Sequence, residues 1–271
     1  MSGVIFLETL RRNWRYMLWW GIGIGFIAWI NVVALPDVDS IRQVAELMES
    51  MPPFMLQMFG AGDLEFMATP EGYLALQLFS FFPLILAMYA VTVGLNVISN
   101  EEERGIMDVL LSHPVTRVQI VVEKTVAYAL LSVGVILIMW LWVVIGLAMV
   151  PEVSAGVDGG ELLIAHLAMI PLLWIVLGFT VLLTGIMRKR TLAIALVASF
   201  ILGSYFLNTI GAAASETVLS TLKPLSYFAH LDSYSIFTGT GQYGGLIVVV
   251  VVSVIFAAIG LFGFTRRDVG V

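Results

Sequence analysis

Apolar residues along this chain gather into six long blocks, at 17–35, 73–98, 125–149, 162–187, 192–213 and 246–264. Each is close to the roughly 20 residues an α-helix needs to cross a hydrocarbon core of ~30 Å. The two-residue alternation of a membrane barrel is absent, so the pattern predicts six transmembrane helices, a form that satisfies its backbone hydrogen bonds within each segment.

Shorter amphipathic patterns lie between and before the blocks. Val4, Leu7, Leu10 and Trp14 recur at helical spacing beside Glu8, Arg11, Arg12 and Arg15. They predict an interfacial helix over 1–16, lying in the inner membrane surface before the chain turns into the bilayer. In the outer segment 36–72, Ile41, Val44, Leu47, Met48 and Met51 alternate with Arg42, Gln43, Glu46 and Glu49 until Pro52 and Pro53. That spacing predicts a helix capping its own bundle. Pro83 predicts a kink in the second span, and Gly203 and Gly211 suggest close helix approach. Segment 215–245 mixes Pro224, aromatics and Gly239, Gly241, Gly244 and Gly245; whether it re-enters the membrane stays open at this level. The first apolar block exceeds the roughly 7 to 15 residues of a signal core, so it is expected to be retained.

Composition agrees with a membrane protein. The chain of 271 residues is 60% hydrophobic and 12% charged, with a mean hydropathy of +1.00, whereas soluble domains are about 25% charged. The fold class expected is all-α integral membrane protein, one domain over 1–271. The net charge of -6 matters less than where the cations fall. With both termini cytoplasmic, 11 of the 13 Lys and Arg residues lie inside, only Arg42 and Lys223 lie outside, and 12 of the 19 acids lie outside. That asymmetry predicts the orientation. There is no cysteine, hence no disulfide or thiolate site.

The polar inventory also bears on the energy source. Every Asp, Glu, Lys and Arg falls in a loop or near a span end, so the intramembrane charges on which ion-coupled transporters depend are lacking. No lysine follows a glycine, which rules out a phosphate-cradling G-x-x-x-x-G-K-[ST] loop in this sequence. His113, His166 and His230 sit in three separate segments and read as ordinary interfacial histidines, not a metal site. Ser204 has no histidine partner in its helix, which speaks against an intramembrane hydrolase. No catalytic residue and no metal ligand is assigned.

One polar island stands out on the basic side, SNEEERGIMDVLLSHPVTR, Ser99 to Arg117. Ser99 or Asn100 can cap a helix whose first turn holds Glu101, Glu102 and Glu103, where the positive end of the helix dipole favours carboxylates. Ile106, Met107, Leu110 and Leu111 form a narrow apolar face that ends before Pro114, and Thr116 with Gln119 predicts a capping box that restarts the chain as span three. The residues alone admit two readings. The apolar face lies on lipid or on its own bundle, or it seats in a groove of a soluble partner.

The run E-E-E-R-G-x-x-D-x-L-L-S-x-P-V-T-R, with Lys124 soon after, resembles the permease subunits of ABC-2-type ATP-binding-cassette transporters, as does the order of helices around it. Phe264 to Asp268, F-T-R-R-D, is a weaker match. The resemblance implies a six-span subunit of an exporter in the plasma membrane. It would pair with a second, identical or homologous permease subunit and engage two copies of a separate ABC ATPase, which would bind ATP and Mg; no cofactor is expected in this chain. Membrane lipid surrounds such a subunit, and no nucleic acid is expected. The implied coupling helix would use Glu101, Glu102, Glu103, Arg104, Gly105, Met107, Asp108, Leu110, Leu111, Pro114 and Arg117. A substrate path lined by spans two and five would involve Phe79, Phe82, Met88, Asn96, Tyr205, Phe206 and Asn208. The rival is a non-transporting membrane anchor that recruits a cytoplasmic partner.

Overall fold

The computed structural model describes residues 3–34, 37–52, 55–56, 63–103, 105, 115–214, 217–241 and 243–267. Among them there is no strand. Six helical segments have the length and apolarity to cross a membrane: Val4–Val33, Pro70–Leu95, Arg117–Ala148, Gly159–Ile186, Arg190–Ala213 and Gly244–Arg266, spans one to six. Each takes in most of one apolar block of the sequence: the blocks 192–213 and 246–264 lie wholly inside their helices, and the other four run one to three residues past the helix end. Span three starts at Arg117 because Thr116 and Gln119 do form the capping box, with side-chain to backbone distances of 2.9 and 3.2 Å.

Spans two and four form the interior. In their most apolar windows 61% and 67% of residues are buried, against 22% for spans five and six. Spans four and six meet backbone to backbone: a Cβ on Gly185 would lie 2.1 Å from the Gly260 carbonyl oxygen, and one on Gly260 would lie 2.5 Å from that of Val181. Small residues permit such an approach where lipid supplies no hydrophobic drive for helices to associate. Of the two glycines expected to serve this purpose, Gly211 does so toward the short helix Val218–Leu222, where a Cβ would lie 2.9 Å from the Leu219 carbonyl oxygen, whereas Gly203 meets nothing within 4 Å.

The N-terminal turns correct a second expectation. Residues from Val4 onward continue straight into span one as a single helix to Val33, not as an interfacial helix followed by a bend. No breaker separates Trp14 from the apolar block, and the helix start is held from outside itself. The Glu123 carboxylate on span three accepts from the backbone N–H groups of Gly3 at 2.8 Å and Phe6 at 3.0 Å, supplying the partners that the first turn of a helix lacks.

Span two is interrupted more deeply than a kink. An α-helical start at Pro70–Leu74 passes into a π-helical turn over Ala75–Phe79, then a turn at Ser80 and Phe81, before the α-helix resumes at Phe82–Leu95 with Pro83 in its first turn. A proline in the first turn forfeits no hydrogen bond.

The amphipathic helix between spans one and two is Val38–Glu49, with Ile41, Ala45 and Met48 buried. Asp37 caps it by accepting from the Ser40 N–H at 2.7 Å, and that bond holds the Asp37 carboxyl below its ordinary pKa. The segment between spans five and six packs back against the bundle. Ser226 donates to the Ser204 carbonyl at 2.7 Å, and the Tyr227 N–H donates to the Ser204 hydroxyl at 3.1 Å. Ser204 lies about 14 Å below Ala213, the outer end of span five, at 1.5 Å per residue. Tyr227 stacks on Phe200, deeper still, with ring centres 5.5 Å apart. The segment thus packs back alongside span five, with Ser226, Tyr227 and Phe228 buried while Val218 and Leu225 are exposed.

Candidate functional site

The polar island begins where span two ends. After a turn over 96–98, a short helix, Ser99–Glu103, carries the three glutamates, and Gly105 follows in a left-handed turn with φ of 66°. Arg104 and residues 106–114, including Met107, Asp108, Leu110, Leu111 and Pro114, lie outside the described residues.

Consecutive residues on a helix point about 100° apart, so three adjacent carboxylates reach three different neighbours. Glu101 pairs with Lys124 of span three, which is only 6% exposed and also donates to the Asn96 carbonyl at 3.0 Å. Glu102 pairs with Arg267, just past the end of span six. Glu103 pairs with Arg190, the first residue of span five, at 2.6 Å on the exposed edge.

Arg267 binds further. Its guanidinium donates to the carbonyl oxygens of Met187 at 2.8 Å and Thr184 at 3.3 Å at the inner end of span four. Arg117 donates to the backbone carbonyls of Phe264 at 3.3 Å and Arg267 at 2.5 Å, joining the start of span three to the end of span six. Helix C-termini present unsatisfied carbonyls, and these arginines supply the donors. The base of the island is therefore clasped to spans three, four, five and six together.

Local sequence pointed to the dipole of a helix for these glutamates, and their long-range partners could not be seen there. Arg190 and Arg267 were not among the candidate residues. For Arg267 the available signal was the F-T-R-R-D stretch that contains it.

The seven residues named for a substrate path differ in exposure. Phe79 and Phe82 are buried, Phe79 lying edge-on to His166 at 5.1 Å and to Phe237 at 5.7 Å. Met88 and Phe206 are exposed, at 54% and 56%. Tyr205 packs between Phe206 and Phe228, and Asn208 is half-buried. Asn96 belongs to the clasp, through its carbonyl to Lys124 and its side-chain oxygen to Asn100. His166 is fully buried in the bundle, with Nδ1 2.8 Å from the Leu162 carbonyl.

A family model described as ABC-2 family transporter protein matches residues 18–269, nearly the whole chain. No curated protein matches it with significant similarity.

Proposed function

Because the chain belongs to the ABC-2 transporter family and is thus a multi-pass membrane permease component of an ABC transporter, we propose that it converts movement of a cytoplasmic ABC ATPase into a change of access for an exported substrate. In this reading residues 101–117 are the point of engagement. The apolar positions Met107, Leu110 and Leu111 seat in the ATPase, while Glu101, Glu102 and Glu103 fasten the segment to its own bundle. ATP and Mg bind the ATPase, of which two copies serve a pair of permease subunits, identical or homologous.

The observation that carries the reading is the three-way clasp. A displacement applied at Gly105 reaches spans three, five and six through three separate ion pairs, and span four through Arg267. A loop that only rested on lipid would have no use for such fastening. Both termini are cytoplasmic, in keeping with the arginine-rich side on which the clasp sits.

The test is to replace Leu110 and Leu111 with Asp. Placing a charge in an apolar groove is costly, so ATPase stimulation by added lipid or drug should fall to background while membrane insertion is unchanged. Unchanged stimulation overturns the coupling role, and an ATPase that binds the wild-type chain yet never responds to added substrate favours the anchor.

A further inference from the structure

A cavity of about 470 Å³ lies at the end of the bundle remote from the clasp, between the connection that leads into span two, the π-helical turn of span two and the short helix Ser233–Phe237. That volume is in the range of small-molecule sites. Met67 and Leu76 give it apolar lining, and Ser80, just past the π-helical turn, adds a hydroxyl. The Phe66 and Tyr234 rings also line it, packed edge to face with their centres 5.0 Å apart. Interruptions of this helical kind recur where a helix serves a site.

Two carboxylates, Asp63 and Asp232, face the same cavity. Each caps the short helix that follows it through Oδ1, Asp63 accepting from the Phe66 N–H at 3.2 Å and Asp232 from the Ser235 N–H at 3.2 Å. Capping fixes where the carboxylates stand and leaves their charge in place. Among the described residues neither forms an ion pair, and no Lys, Arg or His lines the cavity. The Tyr234 phenol registers this field: hydrogen bonding to Asp63 and the Asp63 charge raise its pKa, with smaller contributions from Asp232 and Glu65.

We infer that this cavity is a binding site for an organic cation, an ammonium group carried on an apolar body. The two carboxylates without a counter-ion attract the positive charge. Aromatic rings hold cations over their faces, quaternary ammonium groups among them, and Met67 and Leu76 receive the hydrocarbon. A bare metal ion fits less well: among the described residues no three potential ligands gather, whereas a calcium ion takes six or more oxygens. The site needs neither the ATPase nor the coupling role proposed above.

The experiment is equilibrium dialysis of radiolabelled benzyltrimethylammonium against the full chain in phosphatidylcholine nanodiscs, whose headgroups carry no net charge. One cation should bind per chain, saturably. Neopentylbenzene, the same shape with carbon in place of nitrogen, should compete about tenfold less well at equal free concentration, a ratio equivalent to ~1.4 kcal/mol. Asparagine caps a helix about as well as aspartate, so a double variant, Asp63→Asn with Asp232→Asn, keeps both caps and removes both charges. It should bind the cation about tenfold more weakly with its thermal unfolding unchanged. Ser80→Phe should reduce binding by filling the cavity. Equal competition by neopentylbenzene, full affinity in the double variant, or displacement of the cation by an equal concentration of calcium ion overturns the assignment.

Discussion

The two ends of the bundle are closed by different chemistry. At the inner end, Lys124, Arg190 and Arg267 hold a row of glutamates, and Arg117 and Arg267 collect the carbonyls where spans four and six finish. At the outer end the segment between spans five and six is held by serine hydroxyls, backbone groups and stacked rings, with Ser226, Tyr227 and Phe228 buried. Of the three pairs, Glu103–Arg190 is exposed and separates at modest net cost, whereas Glu101–Lys124 and Glu102–Arg267 are largely buried and leave an uncompensated charge when broken. A buried neutral seal must expose apolar surface to open. The two ends therefore open at different costs, separation of charge at one and exposure of apolar surface at the other.

The largest expected effect comes from removing the inner hub. Arg267→Ala leaves the Glu102 carboxylate unpaired and two span-four carbonyls without their donor; it should lower stability by about 2–4 kcal/mol, as for breaking a largely buried ion pair, and abolish ATPase stimulation. Thermal unfolding and ATPase assays measure both, and an unchanged melting temperature would remove the clasp from consideration. Next in size, Ser226→Ala deletes the outer hydroxyl and leaves Ser204 short of a partner, at about 1–2 kcal/mol. Its signature is faster labelling of a cysteine at Ala229, with inner-end accessibility unchanged. Glu103→Gln at the exposed inner edge should cost under about 1 kcal/mol, and less at high salt; a loss as large as that of Arg267→Ala would mean that the inner end does not work as described. The smallest effect is one of pH. Because Asp37 is held below its ordinary pKa by the Ser40 N–H, its contribution to the Val38–Glu49 helix is fully present at neutral pH and fades as pH falls through that lowered value. Amide exchange at Ser40 should accelerate only in acid.

Much of the fold could be read from the sequence because membrane insertion leaves a local record. Twenty apolar residues in a row announce a span, and of the stripe Ile41, Val44, Leu47, Met48 and Met51 the structure buries Ile41 and Met48, with Ala45 beside them, and leaves Val44, Leu47 and Met51 exposed. What escaped was the non-local part. Nothing near Gly3 or Phe6 says that Glu123 holds the N-terminal turns in line with span one. Nothing near Glu102 names a cation 165 positions away. Nothing near His166 says that Phe79 of span two packs edge-on against it. The apolar blocks define where helices are, whereas which charges meet depends on how six helices are arranged, and the periodicity of any one of them carries no information about that.

The π-helical turn at Ala75–Phe79 carries one consequence for any mutational map of the second span. Such a turn holds an extra residue, advancing the phase of everything beyond it by roughly 100° relative to an unbroken α-helix. A helical wheel drawn straight through residues 70–95 therefore assigns its two halves to a common azimuth they do not share, and scanning mutagenesis of this helix should be plotted as two wheels with an angular offset between them.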